Sequence, residues 1–242
     1  MKIYTYYEEI NFPQQKEMLD LWHKSWTQMG FEAIVLNQQD AKKSPDYDLF
    51  VRKMQYIFKE IANEELSPYG LSCFVRWLAY STVSNQDEKF LVSDYDVINS
   101  GGWKTSDPLI DGIHLFDGAC PCMASGTARD FKKLCDLFFE ITISRLEEIK
   151  RETNHYHDQE FFQYNFVERF NSRSATLQEK HNITLTRERS KDVSPFTLPR
   201  AYHVSHHNIS QILQQGLNKY SAFSPDDLRV EIIKNITDKP IT

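Results

Sequence analysis

Two aspartates separated by one residue are the strongest chemical signal in the chain. Asp94 and Asp96 lie in the segment FLVSDYDV, where an apolar run ends and two carboxylates follow. Carboxylate oxygens are ligands that Mg²⁺ and Mn²⁺ prefer, and a bend in the chain lets such a pair share one cation. A cation held in this way binds phosphate oxygens. The pair predicts a site for a divalent metal and a phosphorylated ligand, and a solvated turn with two acids is the ordinary alternative.

The segments before this pair have the pattern of alternating strands and helices that could position it. KIYTYY has strand composition, apolar residues recur at helical spacing from 14 to 29, and Gly30 is placed for a helix C-cap. EAIVLN is then typical of a buried parallel strand. We therefore predict an α/β fold, a single domain with a mostly parallel central sheet flanked by helices. Ligands bind at the carboxyl ends of strands in such sheets, and Asp94 and Asp96 follow a strand end.

The spacing of apolar residues predicts further helices and strands along the rest of the chain. We expect helices over 48–63 and 71–82, two short strands around Gly118 and Pro121, and a helix through 131–141 entered by Ser125 and Thr127. A helix beginning near Asp158 carries Phe162, Phe166 and Phe170, followed by a weak strand at ITLT and a last helix over 209–217. The domain is predicted to span 1–220, with 221–242 as a C-terminal tail or helix.

Composition limits the function classes. The chain has 242 residues and a formal net charge of -6, which argues against a nucleic-acid partner. No apolar run reaches the roughly 20 residues needed to span a bilayer, and the N-terminus has acids where a signal peptide is apolar. Four cysteines without a CxxC pair favour a reducing compartment. We expect a cytoplasmic or otherwise soluble protein with no targeting signal and no transmembrane segment.

The segment SCFVRWLAYSTVSNQDEKFLVSDYDVINSGG resembles the core of GT-A glycosyltransferases, in which a helix with an arginine leads to an apolar strand ending in a DxD motif. GFEAIVLN extends the resemblance. It implies a single GT-A-like (Rossmann-like) domain that transfers a sugar from a nucleotide diphosphate sugar to the hydroxyl of a glycan, lipid or protein acceptor. It also implies Mn²⁺ or Mg²⁺ held by Asp94 and Asp96, and donor binding by Arg76 and Asp94. A structural ion-pair arginine is the alternative for Arg76.

Two later segments are similar to parts of such enzymes. AYHVSHHN is similar to their late histidine-containing segment, which implies that His203 is a metal ligand and that His206 lies near the diphosphate. HDQEFF is similar to an Asp-Gln pair that contacts the donor sugar or acceptor, which implies a catalytic role for Asp158 and a binding role for Gln159. A polar loop and a helix N-cap are the respective alternatives. PCMASGT is expected beneath the acceptor, with Gly126 allowing close approach.

Other functions stay open. The chain has no P-loop, GxGxxG, HExxH or GxSxG motif, so ATPase, dinucleotide-binding and hydrolase-elbow interpretations lose support. A metal-dependent hydrolase could instead use His155, His157 and Asp158 together with the cluster His203, His206 and His207. It would bind zinc tightly and need no nucleotide sugar. A non-catalytic α/β binding module is the third hypothesis.

Overall fold

A six-stranded sheet with helices on both faces forms the centre of the computed structural model, which describes residues 1–9, 14–186, 200–205, 209 and 224–237. The strands are β1 (Lys2–Tyr6), β2 (Glu32–Leu36), β3 (Phe90–Ser93), β4 (Val97–Ile98), β5 (Ile113–Asp117), β6 (Cys120–Gly126), β7 (Ile183–Leu185) and β8 (Tyr202–His203). The helices are α1 (Gln15–Thr27), α2 (Gln38–Ala41), α3 (Tyr47–Ala62), α4 (Pro68–Ser81), α5 (Ala128–Ser144), α6 (Leu146–Glu152), α7 (Asp158–Phe166), α8 (Ser174–His181) and α9 (Pro225–Thr237).

The central sheet has the strand order β2-β1-β3-β6-β5-β7. β1 pairs in parallel with both β2 and β3, and β5 pairs in parallel with β7. Only β6 runs against its two neighbours, β3 and β5. β4 and β8 form a separate antiparallel pair beside the end of β3. The predicted α/β class and the mostly parallel sheet are therefore confirmed.

Alternate residues of the sheet face two separate cores. Ile3 and Leu91 lie in a core that α1 and α9 cover, whereas Tyr4, Phe90 and Val92 lie in a core covered by α3, α4, α5 and α7. Because successive side chains of a strand point to opposite faces, a strand covered on both faces is apolar throughout. This explains the FLV run before the aspartates.

Most predicted elements are present. The opening β-α-β unit, the strands flanking Gly118, the helix capped by Thr127 and the strand at ITLT are all confirmed. Gly30 has φ +81° and reverses the chain between α1 and β2. The prediction that Phe170 continues the helix from Asp158 is wrong, because α7 ends at Phe166.

The C-terminal region is described only in part. Residues 210–217 of the predicted last helix lie outside the described residues, as does the proposed boundary at 220. Within 221–242, Pro225–Thr237 forms helix α9, which packs against α1. Among the helices of the described ranges, none combines the length and the apolar character that a membrane span requires.

Candidate functional site

The DYDV segment turns sharply after β3. The amide of Val97 donates to the carbonyl of Asp94 at 3.0 Å, and the amide of Asp94 donates to the carbonyl of Cys122 on β6 at 2.8 Å. The turn places both Asp94 and Asp96 on the same cavity at the carboxyl end of β3. The predicted bend that brings the two carboxylates together is therefore present.

Helix α1 fixes this turn from one face of the sheet. The indole nitrogen of Trp22 donates to Oγ of Ser93 at 2.9 Å, just before the turn. The indole nitrogen of Trp26 donates to the carbonyl of Val97 at 3.0 Å, just after it. Both tryptophans are fully buried, so these polar contacts satisfy groups that have no access to water.

Arg76 of α4 holds two carboxylates at once. Its Nη1 donates to Oδ1 of Asp94, while its Nε and Nη2 donate to Oδ2 of Asp158 at 2.9 and 2.6 Å. Nη2 also contacts the carbonyl of Pro121, and the indole of Trp77 donates to the same Asp158 oxygen at 2.7 Å. Arg76 is thus a partly buried residue that holds Asp94 and Asp158 in place. These contacts are those of a structural ion-pair arginine, and direct contact with a donor stays a prediction.

Asp96 is held by an arginine from the opposite face of the sheet. Nη2 of Arg229, on α9, donates to Oδ2 of Asp96 at 2.6 Å, and its Nε donates to the carbonyl of Val204 at 3.0 Å. A metal ligand at the end of a strand is expected to be exposed, and for Asp96 that expectation is wrong, because Asp96 is only 8% exposed and forms a buried ion pair.

The strand that carries His203 is fastened to the same turn. His203 pairs with Val97 across β4 and β8, and the amide of Val204 donates to the carbonyl of Asp96 at 2.9 Å. Nε2 of His203 lies 3.7 Å from Oδ1 of Asp96. Asp94, Asp96 and His203 thus present ligand atoms that all lie within 4.8 Å of one another. His206 and His207 fall outside the described residues.

Burial and charge shift the acid-base properties of this group. Burial raises the pKa of Asp94 to about 6, with Asp96 adding to the effect and Arg76 opposing it. For His203, burial lowers the pKa, but the charge of Asp96 and other acidic neighbours outweighs it and the net pKa is raised. Both shifts reflect several ionisable groups confined in one poorly solvated space.

An open cavity of about 870 Å³ lies over these side chains. Among the described residues that line it, arginine and lysine are represented by Arg76 alone, whereas the acids are Glu64, Glu65, Asp94, Asp96, Asp117, Asp158 and Glu160. An anion such as a diphosphate is repelled from such a surface unless a cation accompanies it. The electrostatics therefore favour a cation as the first ligand of this cavity.

The Asp158-Gln159 pair begins α7 on the far side of the cavity. Asp158 is buried and its Oδ2 is committed to Arg76 and Trp77. Gln159 lines the cavity, is exposed, and its amide makes no hydrogen bond within the described part of the chain. Gln159 is therefore available to a ligand, whereas Asp158 offers only Oδ1.

The histidines proposed for a hydrolase form a separate group. His155, His157 and Glu160 have ligand atoms within 4.8 Å of one another. Asp158, which belongs to the set predicted from the sequence, does not join it, and its Oδ2 instead accepts from Arg76 and Trp77. The imidazole of His157 stacks on Phe58, and burial together with His155 lowers its pKa to about 4.

The PCMASGT segment borders the cavity at its beginning and not at Gly126, where a ligand was expected to approach. A side chain at Gly126 would lie 3.2 Å from Phe131, so this glycine accommodates core packing and not the cavity. Cys120, Pro121 and Cys122 line the cavity instead.

Sequence reasoning missed Arg229, Asp117, Cys120 and Cys122 as site residues. Arg229 carries no motif, and its partner is 133 positions away in sequence. The pattern Asp-x-x-Cys-x-Cys at 117–122, next to a predicted strand turn, was a usable signal. This spacing is neither a CxxC pair nor a disulfide framework, so those two patterns do not detect it.

Comparisons with models of protein families, with curated protein sequences and with solved structures find no match.

Proposed function

We propose that this chain is a metal-dependent glycosyltransferase of the GT-A type, which transfers a sugar from a nucleotide diphosphate sugar to an acceptor hydroxyl. One observation carries the proposal. Asp94, Asp96 and His203 converge within 4.8 Å at the carboxyl end of β3, over an open and acidic cavity. This is the arrangement expected from the DYDV motif and the late histidine, and the residues come from widely separated parts of the sequence.

The donor atoms suit a hard divalent cation. Oδ1 of Asp96 is fully buried and has no hydrogen-bond partner among the described residues, which is costly for a charged oxygen unless a ligand compensates it. Oδ2 of Asp94 likewise receives no hydrogen bond from any described residue, since Arg76 donates to Oδ1. Two carboxylate oxygens and one imidazole nitrogen match the preferences of Mn²⁺, and Mg²⁺ is the alternative with more water ligands.

The cation, when bound, would act as a Lewis acid on the departing diphosphate. The remaining functions fall to side chains of the chain. Arg76 and Arg229 hold Asp94 and Asp96 in place, so that two like charges stay close without the metal. Gln159 presents its free amide to the donor sugar or to the acceptor. Asp158 is the candidate base for the acceptor hydroxyl, through Oδ1.

Calorimetric titration of nucleoside diphosphates with and without Mn²⁺ tests the proposal. We expect binding only with Mn²⁺, and loss of that binding in Asp94→Asn. Asp94 is preferred to Asp96 for this test because Arg76 keeps Asp158 as a partner when Asp94 is neutralised. Asp136→Asn is a matched control, because Asp136 is an exposed acid on α5 paired with Lys132. Equal affinity with and without Mn²⁺, or in Asp94→Asn, contradicts the proposal.

The hydrolase alternative has its own support in the group formed by His155, His157 and Glu160. Two imidazoles and one carboxylate make a three-ligand zinc set with an open position for water. This hypothesis predicts hydrolysis of a phosphate or ester without a nucleotide sugar, and its loss in Glu160→Gln. Nucleotide binding without turnover of any donor supports the third hypothesis, a non-catalytic binding module.

A further inference from the structure

A second group of ligand-type side chains lies on the other side of His203. Asp117, Cys120, Cys122 and His203 have ligand atoms that all lie within 4.8 Å of one another. The β5-β6 hairpin brings three of them together. Asp117 pairs with Cys120 across the turn at Gly118, and Cys122 follows two positions later, on the same face of β6 as Cys120.

The four side chains could fill all four coordination positions of a tetrahedral metal ion. Asp117 is 7% exposed and Cys122 is 1% exposed, so these groups are largely removed from solvent. Two thiolates, an imidazole and a carboxylate provide the four ligands that tetrahedral zinc requires, and thiolates select against Mg²⁺ and Mn²⁺. This distinguishes the group from the pair Asp94 and Asp96, which offers only oxygen.

We propose that Asp117, Cys120, Cys122 and His203 form a binding site for a thiophilic divalent cation. Zn²⁺ is the physiological cation expected there. Binding replaces the two thiol protons with metal-sulfur bonds, and the protons leave to solvent. The site is separate from the group of His155, His157 and Glu160, which contains no sulfur.

His203 is a member of both this group and the group formed with Asp94 and Asp96. Each residue of these groups contributes one ligand atom, so we expect a cation in one group to compete with a cation in the other for His203. Zinc is therefore expected to weaken Mn²⁺-dependent nucleotide binding. This consequence rests on the proposed function, whereas the thiolate site does not.

Cobalt substitution tests the thiolate site directly. We expect Co²⁺ added to the reduced protein to give thiolate-to-cobalt charge-transfer absorption that saturates at one equivalent and disappears when Zn²⁺ is added. Cys122→Ser should lose most of this absorption. Cys73→Ser is the matched control, because Cys73 lines the same cavity but does not belong to the group, and it should keep the absorption.

A second measurement covers the case in which Cys122→Ser does not fold. In the wild-type protein, Zn²⁺ should slow alkylation of Cys120 and Cys122 relative to Cys73, as mapped by mass spectrometry. Absence of charge-transfer absorption in the reduced wild type, or equal alkylation with and without Zn²⁺, overturns the site. Asp94→Asn separates the two proposals, because it should abolish Mn²⁺-dependent nucleotide binding and retain the cobalt-thiolate absorption.

Discussion

Two arginines approach the DYDV turn from opposite faces of the sheet, and they leave its two aspartates in different states. On the α4 side, Arg76 is satisfied by Asp94, Asp158 and a backbone carbonyl. On the α9 side, Arg229 occupies one oxygen of Asp96, and the other, Oδ1, is buried without a hydrogen-bond partner in the described part of the chain. Among the described residues, the α4 side therefore leaves no buried carboxylate oxygen of Asp94 or Asp158 without a partner, whereas the α9 side leaves one such oxygen of Asp96.

This difference indicates where a ligand contributes most to the protein. A satisfied network gains little from a cation, whereas a buried carboxylate oxygen without a partner gains a favourable interaction when one binds. His203, at 3.7 Å from that oxygen, lies on the α9 side. We therefore expect metal binding to stabilise the α9 side more than the α4 side, and four experiments test the comparison.

Removal of Arg229 should have the largest effect. Arg229→Met leaves Asp96 as a buried charge without its cation, which we expect to cost about 3–5 kcal/mol in the free energy of unfolding. Urea denaturation measures this loss. Arg129→Met is the control, because the ion pair of Arg129 with Asp87 is exposed and should contribute less than about 1 kcal/mol. Similar losses in both variants contradict the buried-pair interpretation.

Replacing each aspartate with asparagine should lower the free energy of unfolding by different amounts on the two sides. Asp96→Asn leaves Arg229 near the carboxylate of Asp226, 3.6 Å away, and we expect a loss of about 3 kcal/mol. Asp94→Asn leaves Arg76 in direct contact with Asp158, and we expect about 1–2 kcal/mol. The comparison fails if Asp94→Asn proves the more destabilising of the two in denaturation without metal.

Arg76→Lys tests whether Arg76 acts only by holding Asp94 and Asp158 in place. Lysine keeps the charge but cannot hold Asp94 and Asp158 with one planar group. We expect the affinity for nucleoside diphosphate in Mn²⁺ to fall about tenfold, or about 1.4 kcal/mol, by calorimetry. Asp94→Asn should abolish binding altogether. If Arg76→Lys is equally severe, Arg76 contacts the donor directly, as the resemblance to GT-A enzymes implies.

The smallest expected effect concerns His157, at the cavity edge near the α4 side. Its pKa is lowered from 6.5 to about 4, chiefly by burial, so the folded protein keeps the imidazole neutral. A depressed histidine pKa gives stability that is complete above about pH 6.5 and is lost as the pH falls toward 4. His157→Gln should therefore lose less stability than wild type between pH 7 and pH 5. Identical losses in urea denaturation contradict this.

The fold could be predicted from local patterns. Strands buried on both faces are apolar throughout, helices repeat their apolar residues every three or four positions, and these signals need only neighbouring residues. This is why β1, α1, β2 and the FLV strand were predicted. α7 was predicted too long because Phe162, Phe166 and Phe170 keep helical spacing although the helix ends at Phe166.

The sequence by itself therefore determined the α/β class and the approach of Asp94 and Asp96 at a strand end, because strand polarity and a two-residue spacing suffice for both. Only the tertiary structure decided that Asp96 is buried, that Arg229 pairs with it, and that His203 lies between an oxygen-rich and a sulfur-rich group. The physical reason is that an ion pair or a shared ligand depends on distances between segments far apart in sequence. Such distances follow from packing on the two faces of the sheet and have no periodic signature in the chain.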